Sequence, residues 1–223
     1  MKIIDDASKK KIRWWNRNYY FAGTVFVVLA NILLFAFANE WFRTVFNIYG
    51  YVNFHQEIYI DPLLAGFFSS FAHSSWEHVL LNMLCFFVMG LYMERKTGSI
   101  HLILLVLSGA FFSSTAIWVL NTGNPPNGYS GVNYLLYAYV GIEYLFSLLQ
   151  KQKRNKFSII FGAVVIGLIY FAMCYNHGRT PLHFYWYPYD FMTNAWHYMS
   201  FFAGIAFGLT IQVAQLKARK ETI

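Results

Sequence analysis

Residues 73–94 read HSSWEHVLLNMLCFFVMGLYME. This stretch decides the fold because it is two things at once. From His78 to Glu94 it is nearly all apolar and falls within the length that a hydrocarbon core about 30 Å thick demands, roughly 17–25 residues of helix. Yet it opens on polar groups: His73, His78 and Asn82. A charged side chain at the centre of a span costs about 2.5–3.5 kcal/mol on insertion scales, so such groups face the bundle interior and mark function. His78 and Asn82 stand four residues apart and share one helix face. A membrane helix with a polar inner face requires other helices around it.

Five more apolar runs supply them. The six expected spans are 19–39, 78–94, 100–120, 130–149, 157–175 and 195–214. Each is read as a helix, because backbone polar groups in lipid must be satisfied within the segment. Composition agrees. The chain has 223 residues, 57% of them hydrophobic and only 12% charged, with mean hydropathy +0.39. Soluble domains carry about 25% charged residues. One domain covering 1–223, an all-α integral membrane bundle of six transmembrane helices, is the expected architecture.

The net charge of +7 does not indicate nucleic acid. Lys2, Lys9, Lys10, Lys11, Arg13 and Arg17 precede the first span; Arg95 and Lys96 follow the second. Lys151, Lys153, Arg154 and Lys156 follow the fourth; Lys217, Arg219 and Lys220 follow the sixth. These fifteen of seventeen basic residues fall on one side, leaving only Arg43 and Arg179 on the other. By the positive-inside rule both termini are cytoplasmic. The basic segment 1–18 is then a cytoplasmic N-terminus, and no cleavable signal peptide is expected. Residues 40–72 form a long outer loop, with an interfacial apolar segment at Phe67–Ala72. Tyr185, Trp186, Tyr187, Pro188 and Tyr189 lie in the outer loop 176–194, where aromatic rings anchor to headgroups. Cys85 and Cys174 sit in apolar stretches with no metal-like spacing and read as small buried hydrophobes.

The polar residues gather at particular places. The fourth span opens with Gly128-Tyr129-Ser130-Gly131, and the sixth with Asn194-Ala195-Trp196-His197. Spans two, four and six all run from outside to inside, so His78, Asn82, Ser130 and His197 should lie at similar depth. A hydroxyl, an imidazole and an amide converging in lipid make a hydrolase layout. Ser130 and His197 supply nucleophile and general base. His78 and Asn82 are placed to donate to a developing oxyanion. Ser200 and Gly204 follow His197 by three and seven residues on its own face, and Gly131 adjoins Ser130, so two helices can pack closely there. Tyr134 is one turn below Ser130 and within reach of the imidazole.

These residues resemble the rhomboid family of intramembrane proteases. The resemblance runs over about 73–208 and rests on His73-x4-His78-x3-Asn82-x7-Gly90-x3-Glu94-x3-Gly98-Ser99, on Gly128-x-Ser130-Gly131, and on Asn194 with His197. It implies a rhomboid-like bundle with its core catalytic spans in 73–208, and a Ser130–His197 dyad without a third acid. It implies an oxyanion hole of the Ser130 N–H, His78 and Asn82, with Gly128, Gly131, Tyr134, Asn194, Ser200, Gly204 and His73 in support. Glu94 would tie the cytoplasmic end of its span to neighbouring backbone. Substrates would be single-span membrane proteins cut near the outer end of their helix, with the lipid bilayer as medium and no cofactor, metal or nucleic acid. A bacterial inner (plasma) membrane, with the site opening outward, is the expected location.

The sequence departs from the family in two places. Leu63-Leu64-Ala65-Gly66 stands where a Trp-Arg pair is common, and Ser200 replaces a glycine. Several polar residues carry blander readings. His101 is an interface residue; His55, His177 and His183 lie in outer loops and are assigned nothing. Asp190 reads as a solvated loop carboxylate and not as a triad acid, and Glu143 as a snorkelling or paired carboxylate. Two other classes compete. A pseudoprotease that binds membrane clients without cutting them typically lacks the serine or the histidine, and both are present. A small transporter would carry paired charges through the bundle and broken helices.

Overall fold

The computed structural model describes residues 21–45, 62–120, 128–149, 160, 162–164, 167 and 195–221. Among them, all regular structure is helical. In chain order the helices are α1 (Ala22–Val45), α2 (Pro62–Ser69), α3 (Trp76–Thr97), α4 (Ser99–Leu120), α5 (Ser130–Leu149) and α6 (Ala195–Glu221). Three stretches are long and apolar enough to cross a membrane: Ala22–Trp41, Trp76–Thr97 and Trp196–Lys217. Ser99–Thr115 is a shorter apolar helix.

α1, α3, α4, α5 and α6 overlap expected spans one to four and six, and the largest differences of extent are at two C-terminal ends. α1 runs to Val45 and α6 to Glu221, past the expected ends at 39 and 214. Hydropathy stops where lipid stops, whereas a helix continues until something breaks it. No proline or glycine stands between Glu40 and Val45 or after Gly208. The expected outer loop therefore starts later, and α2 takes up part of it. The fifth span, 157–175, lies mostly outside the described residues; Ile160, Gly162, Ala163, Val164 and Gly167 are helical.

The burial pattern inverts that of a soluble protein. Phe37, Ile100, Phe26, Leu84 and Val25 are exposed on the outside. Thr24, Asn31, Asn39, His73, Asn82, Glu94, Ser113, Asn133 and Ser200 are buried inside. Apolar side chains outward and polar ones inward suit a lipid solvent. α5 is the axis of the bundle, for every residue from Gly128 to Val140 is buried. It packs against α3, α4 and α6.

Polar bonds pin the helices at their ends. Ser75 caps α3, its hydroxyl accepting the N–H of His78 at 3.1 Å. At the other end of α3, the buried Glu94 carboxylate accepts the N–H groups of Gly23 (2.7 Å) and Thr24 (2.8 Å) and the Thr24 hydroxyl (2.7 Å). The Ser99 hydroxyl donates to it as well. A helix leaves its first N–H groups unused, and Glu94 takes two of them from the start of α1. At the far end of α1, Asn39 donates to the carbonyl of His73 (2.9 Å) and accepts its N–H (3.0 Å). α1 thus lies antiparallel to α3. Near the C-terminal end of α3, Lys96 donates to Glu143 of α5 and to the Tyr92 hydroxyl. Glu143 is therefore a paired carboxylate that ties α5 to α3.

Glu94→Gln keeps one acceptor oxygen and sets an NH₂ against donors. Breaking a buried charged network of this kind costs about 3 kcal/mol. A clear fall in melting temperature in detergent is expected, and an unchanged melt would show that these bonds do not hold α1.

Candidate active site

The first turns of α3, α5 and α6 meet at one place. Ser130 is the first residue of α5, and His197 is the third of α6. The Ser130 hydroxyl lies 2.8 Å from His197 Nε2, and both side chains are buried, at 8% and 3% exposure. The Tyr134 ring lies against the imidazole, centroids 4.5 Å apart and planes tilted by 32°. A hydroxyl bonded to an imidazole nitrogen can pass it a proton as the oxygen attacks.

The GxSG turn is held from below and beside. Gly128 donates its N–H to the Ser69 carbonyl at 3.2 Å, and Tyr129 donates its own to His73 Nε2 at 3.3 Å. The Tyr129 ring is fully buried, edge-on to Phe71 and Phe86. The variable position of the motif is thus an apolar anchor. Ser130 has a first-turn N–H, which the helix itself does not use.

Gly128 is where the donors converge. Its φ of +110° suits glycine alone. A Cβ built there would stand 2.7 Å from His78 Nε2 and 3.3 Å from Asn82 Nδ2. Both nitrogens therefore border the space beside the Ser130 turn, and a side chain at 128 would collide with them. The His78 ring is held by Ser74, whose hydroxyl lies 3.0 Å from Nδ1. The Asn82 side chain is held by Asn133 of α5, whose Nδ2 donates to Asn82 Oδ1 at 3.2 Å and to the Asn82 carbonyl at 3.1 Å. Asn82 Nδ2 is buried and has no hydrogen-bond partner among the described residues.

His73 sits in the turn before α3, fully buried. Burial, with a smaller contribution from His78, pushes its pKa down to about 3. Its neutral ring is what lets Nε2 accept the Tyr129 N–H.

The close approach of α5 and α6 depends on small residues. A Cβ on Gly204 would run into the Leu135 carbonyl oxygen and stand 2.9 Å from Ala138 Cβ. One on Gly131 would strike the Ser113 hydroxyl. Ser200 faces Gly131 of α5, whose added Cβ would stand 3.4 Å from its hydroxyl, so the missing side chain at 131 leaves room for it. Its hydroxyl bonds Ser113 at 2.8 Å and the Gly109 carbonyl at 3.3 Å, both on α4.

The structure thus brings together Ser130, His197, His78, Asn82, Gly128, Gly131, Tyr134, Ser200, Gly204 and His73. Glu94 stands apart, at the other end of α3. Asn194 and Asp190 lie outside the described residues, as do His55, His177 and His183. Sequence reading missed Asn133, Asn39 and Ser113. The available signal was the cost of an amide in an apolar helix. No group of three metal-ligating side chains occurs among the described residues.

Gly204→Ala is expected to part α5 from α6, lengthen the Ser130–His197 bond and lower the rate at which a serine-reactive probe labels Ser130 by about 10-fold or more. Labelling at the original rate would show that the crossing tolerates a methyl. For His73, the unfolded chain binds a proton near pH 6.5 whereas the folded one does not until about pH 3. The unfolded state therefore holds more protons within that window, and stability present above it is lost as pH falls through it. Melting temperature should drop as pH falls below 6.5, and His73→Gln should flatten that slope.

A family model described as Rhomboid domain matches residues 63–214, about two thirds of the chain. No curated protein matches it.

Proposed function

The chain belongs to the rhomboid family, and from that premise we propose that it is an intramembrane serine endopeptidase working through the Ser130–His197 dyad. The observation that carries this reading is the 2.8 Å bond between the Ser130 hydroxyl and His197 Nε2 inside an apolar bundle. His197 takes the hydroxyl proton as Ser130 Oγ attacks a peptide carbonyl carbon. The carbonyl oxygen becomes an oxyanion, met by the Ser130 N–H, His78 Nε2 and Asn82 Nδ2. The C–N bond then breaks, and His197 gives its proton to the leaving amine. Water hydrolyses the acyl-serine by the same route, with His197 as base again.

The substrates we propose are single-span membrane proteins, cut near the outer end of their helix. In this reading the six-span topology rests on the six apolar runs, and its orientation, with both termini cytoplasmic and the site opening outward, on the fifteen basic residues of one side; the compact six-span form suits a bacterial inner membrane. The second reading is a pseudoprotease that binds membrane clients without cleavage. The intact hydroxyl–imidazole pair favours the protease.

The test is cleavage of a model single-span substrate by the protein in liposomes. A fragment whose size places the cut at the outer end of the span is expected from the wild type. Ser130→Ala and His197→Ala should each abolish it, and Asp190→Ala should leave most of it. Binding of the substrate without any serine-dependent fragment would move the reading to the pseudoprotease.

A further inference from the structure

Asn133 belongs neither to the dyad nor to any motif that the sequence brings forward. It stands three residues after Ser130, on the same side of α5. It is 2% exposed, and apart from it every residue of the helix from Val132 to Ile142 is apolar or aromatic. An amide in that position is costly without a partner; among the described residues its Oδ1 has none, and the two partners of its Nδ2 are both on Asn82.

We propose that Asn133 is the positioning residue for Asn82, fixing which end of that amide faces the oxyanion; this rests on the protease reading of the site. The argument turns on what each atom can do. A side-chain amide has an acceptor end and a donor end of nearly the same shape. The Asn82 backbone carbonyl only accepts. The end of Asn133 that lies 3.1 Å from it must therefore be the NH₂. The same NH₂ lies 3.2 Å from the Asn82 side chain, so the end facing it must be Oδ1. Nδ2 of Asn82 is left on the other side, bordering Gly128 and without a partner among the described residues. Turning either amide over would set donor against donor or acceptor against acceptor. A backbone carbonyl, which cannot turn over, thus fixes the orientation of two side chains in series. The second of them presents its N–H groups where negative charge develops.

The experiment uses the full chain in liposomes with a model single-span substrate. It compares Asn133→Leu, Asn133→Asp, Asn82→Ala and the two double variants, reading kcat, KM and melting temperature. Leucine keeps the shape of asparagine and removes the hydrogen bonds. It is expected to lower kcat about 10-fold with KM within about twofold of the wild type, the pattern of an interaction made in the transition state. The aspartate carboxylate accepts from Asn82 Nδ2 and turns Oδ1 toward the oxyanion. Its kcat should fall further, toward the roughly 10²–10³-fold loss of a missing oxyanion donor. In the Asn82→Ala background, neither substitution should lower kcat again, because the residue acts through Asn82.

Wild-type kcat in a folded Asn133→Leu variant would overturn the assignment. So would an equal loss from Asn133→Leu with and without Asn82, since that is the behaviour of a merely structural residue. If Asn133→Asp does not fold, the leucine variant and its double carry the test. A wild type that neither cleaves nor takes a serine-reactive probe would overturn the protease reading itself. A wild type that cleaves beside an unaffected Asn133→Leu would overturn only the role of Asn133.

Discussion

Lipid offers no hydrogen bonds, so every polar group set between the helices has to find its answer inside the protein. Apolar contact alone does little to choose which helix lies beside which, because a lipid tail is as apolar as a leucine. The choice falls to a few polar pairs. Glu94 gathers the start of α1 and Ser99. Asn39 holds the turn at His73. Lys96 takes Glu143 of α5, and Ser113 of α4 takes Ser200 of α6. A buried group left unsatisfied costs about 1–3 kcal/mol, and a whole domain is stable by only about 5–15 kcal/mol. Two or three failures of this kind would consume much of that margin.

Several buried polar atoms escape this constraint, among them Asn31 Oδ1, Tyr137 OH and Glu143 Oε2, and one of them borders the candidate site. Asn82 Nδ2 is buried beside the GxSG turn and has no partner among the described residues. Its neighbours are Gly128 and the nucleophile's helix. Fixing such a donor in advance avoids reorganisation when charge appears in front of it. Under the proposed protease reading, the stabilisation given up in the resting protein would be recovered with an oxyanion present. Acidic Glu94, by contrast, is fully answered and lies away from the dyad. Its oxygens are answered within the protein, which suits an architectural role, whereas Asn82 keeps an unanswered donor bordering the GxSG turn.

What the sequence made legible follows from this physics. Apolar runs located the helices, because span length is set by the bilayer and not by tertiary contacts. Their ends were less legible: α1 and α6 run on through sequence that water tolerates as helix. The polar residues that open the second, fourth and sixth spans stood out against apolar surroundings, so Ser130, His197, His78 and Asn82 were readable as a group. Their supports were not. Asn133 meets Asn82 across 51 residues, and Ser113 meets Ser200 across 87. A sequence says that a buried amide or hydroxyl needs a partner, but not which of the others it finds. Glu143 shows the same limit. Pairing with a base was foreseeable; that the base is Lys96, 47 residues away, was not.

Ser200 shows how a local departure is absorbed without moving the dyad. A serine in a tight α5–α6 crossing would be expected to push the helices apart. Its hydroxyl is instead turned to α4, where Ser113 and the Gly109 carbonyl take it. The close approach then falls at Gly204, whose missing side chain leaves room for the Leu135 carbonyl. Gly204 follows His197 by seven residues, about 10 Å along the axis at 1.5 Å per residue. α6 is therefore held against α5 at two levels, by the Ser130–His197 bond above and by backbone contact at Gly204 below. Two separated contacts fix the inclination of one rigid rod on another, and the bond from Ser200 to α4 fixes its rotation. Three contacts spaced along one helix, none of them adjacent in sequence, thus hold the imidazole beside Ser130.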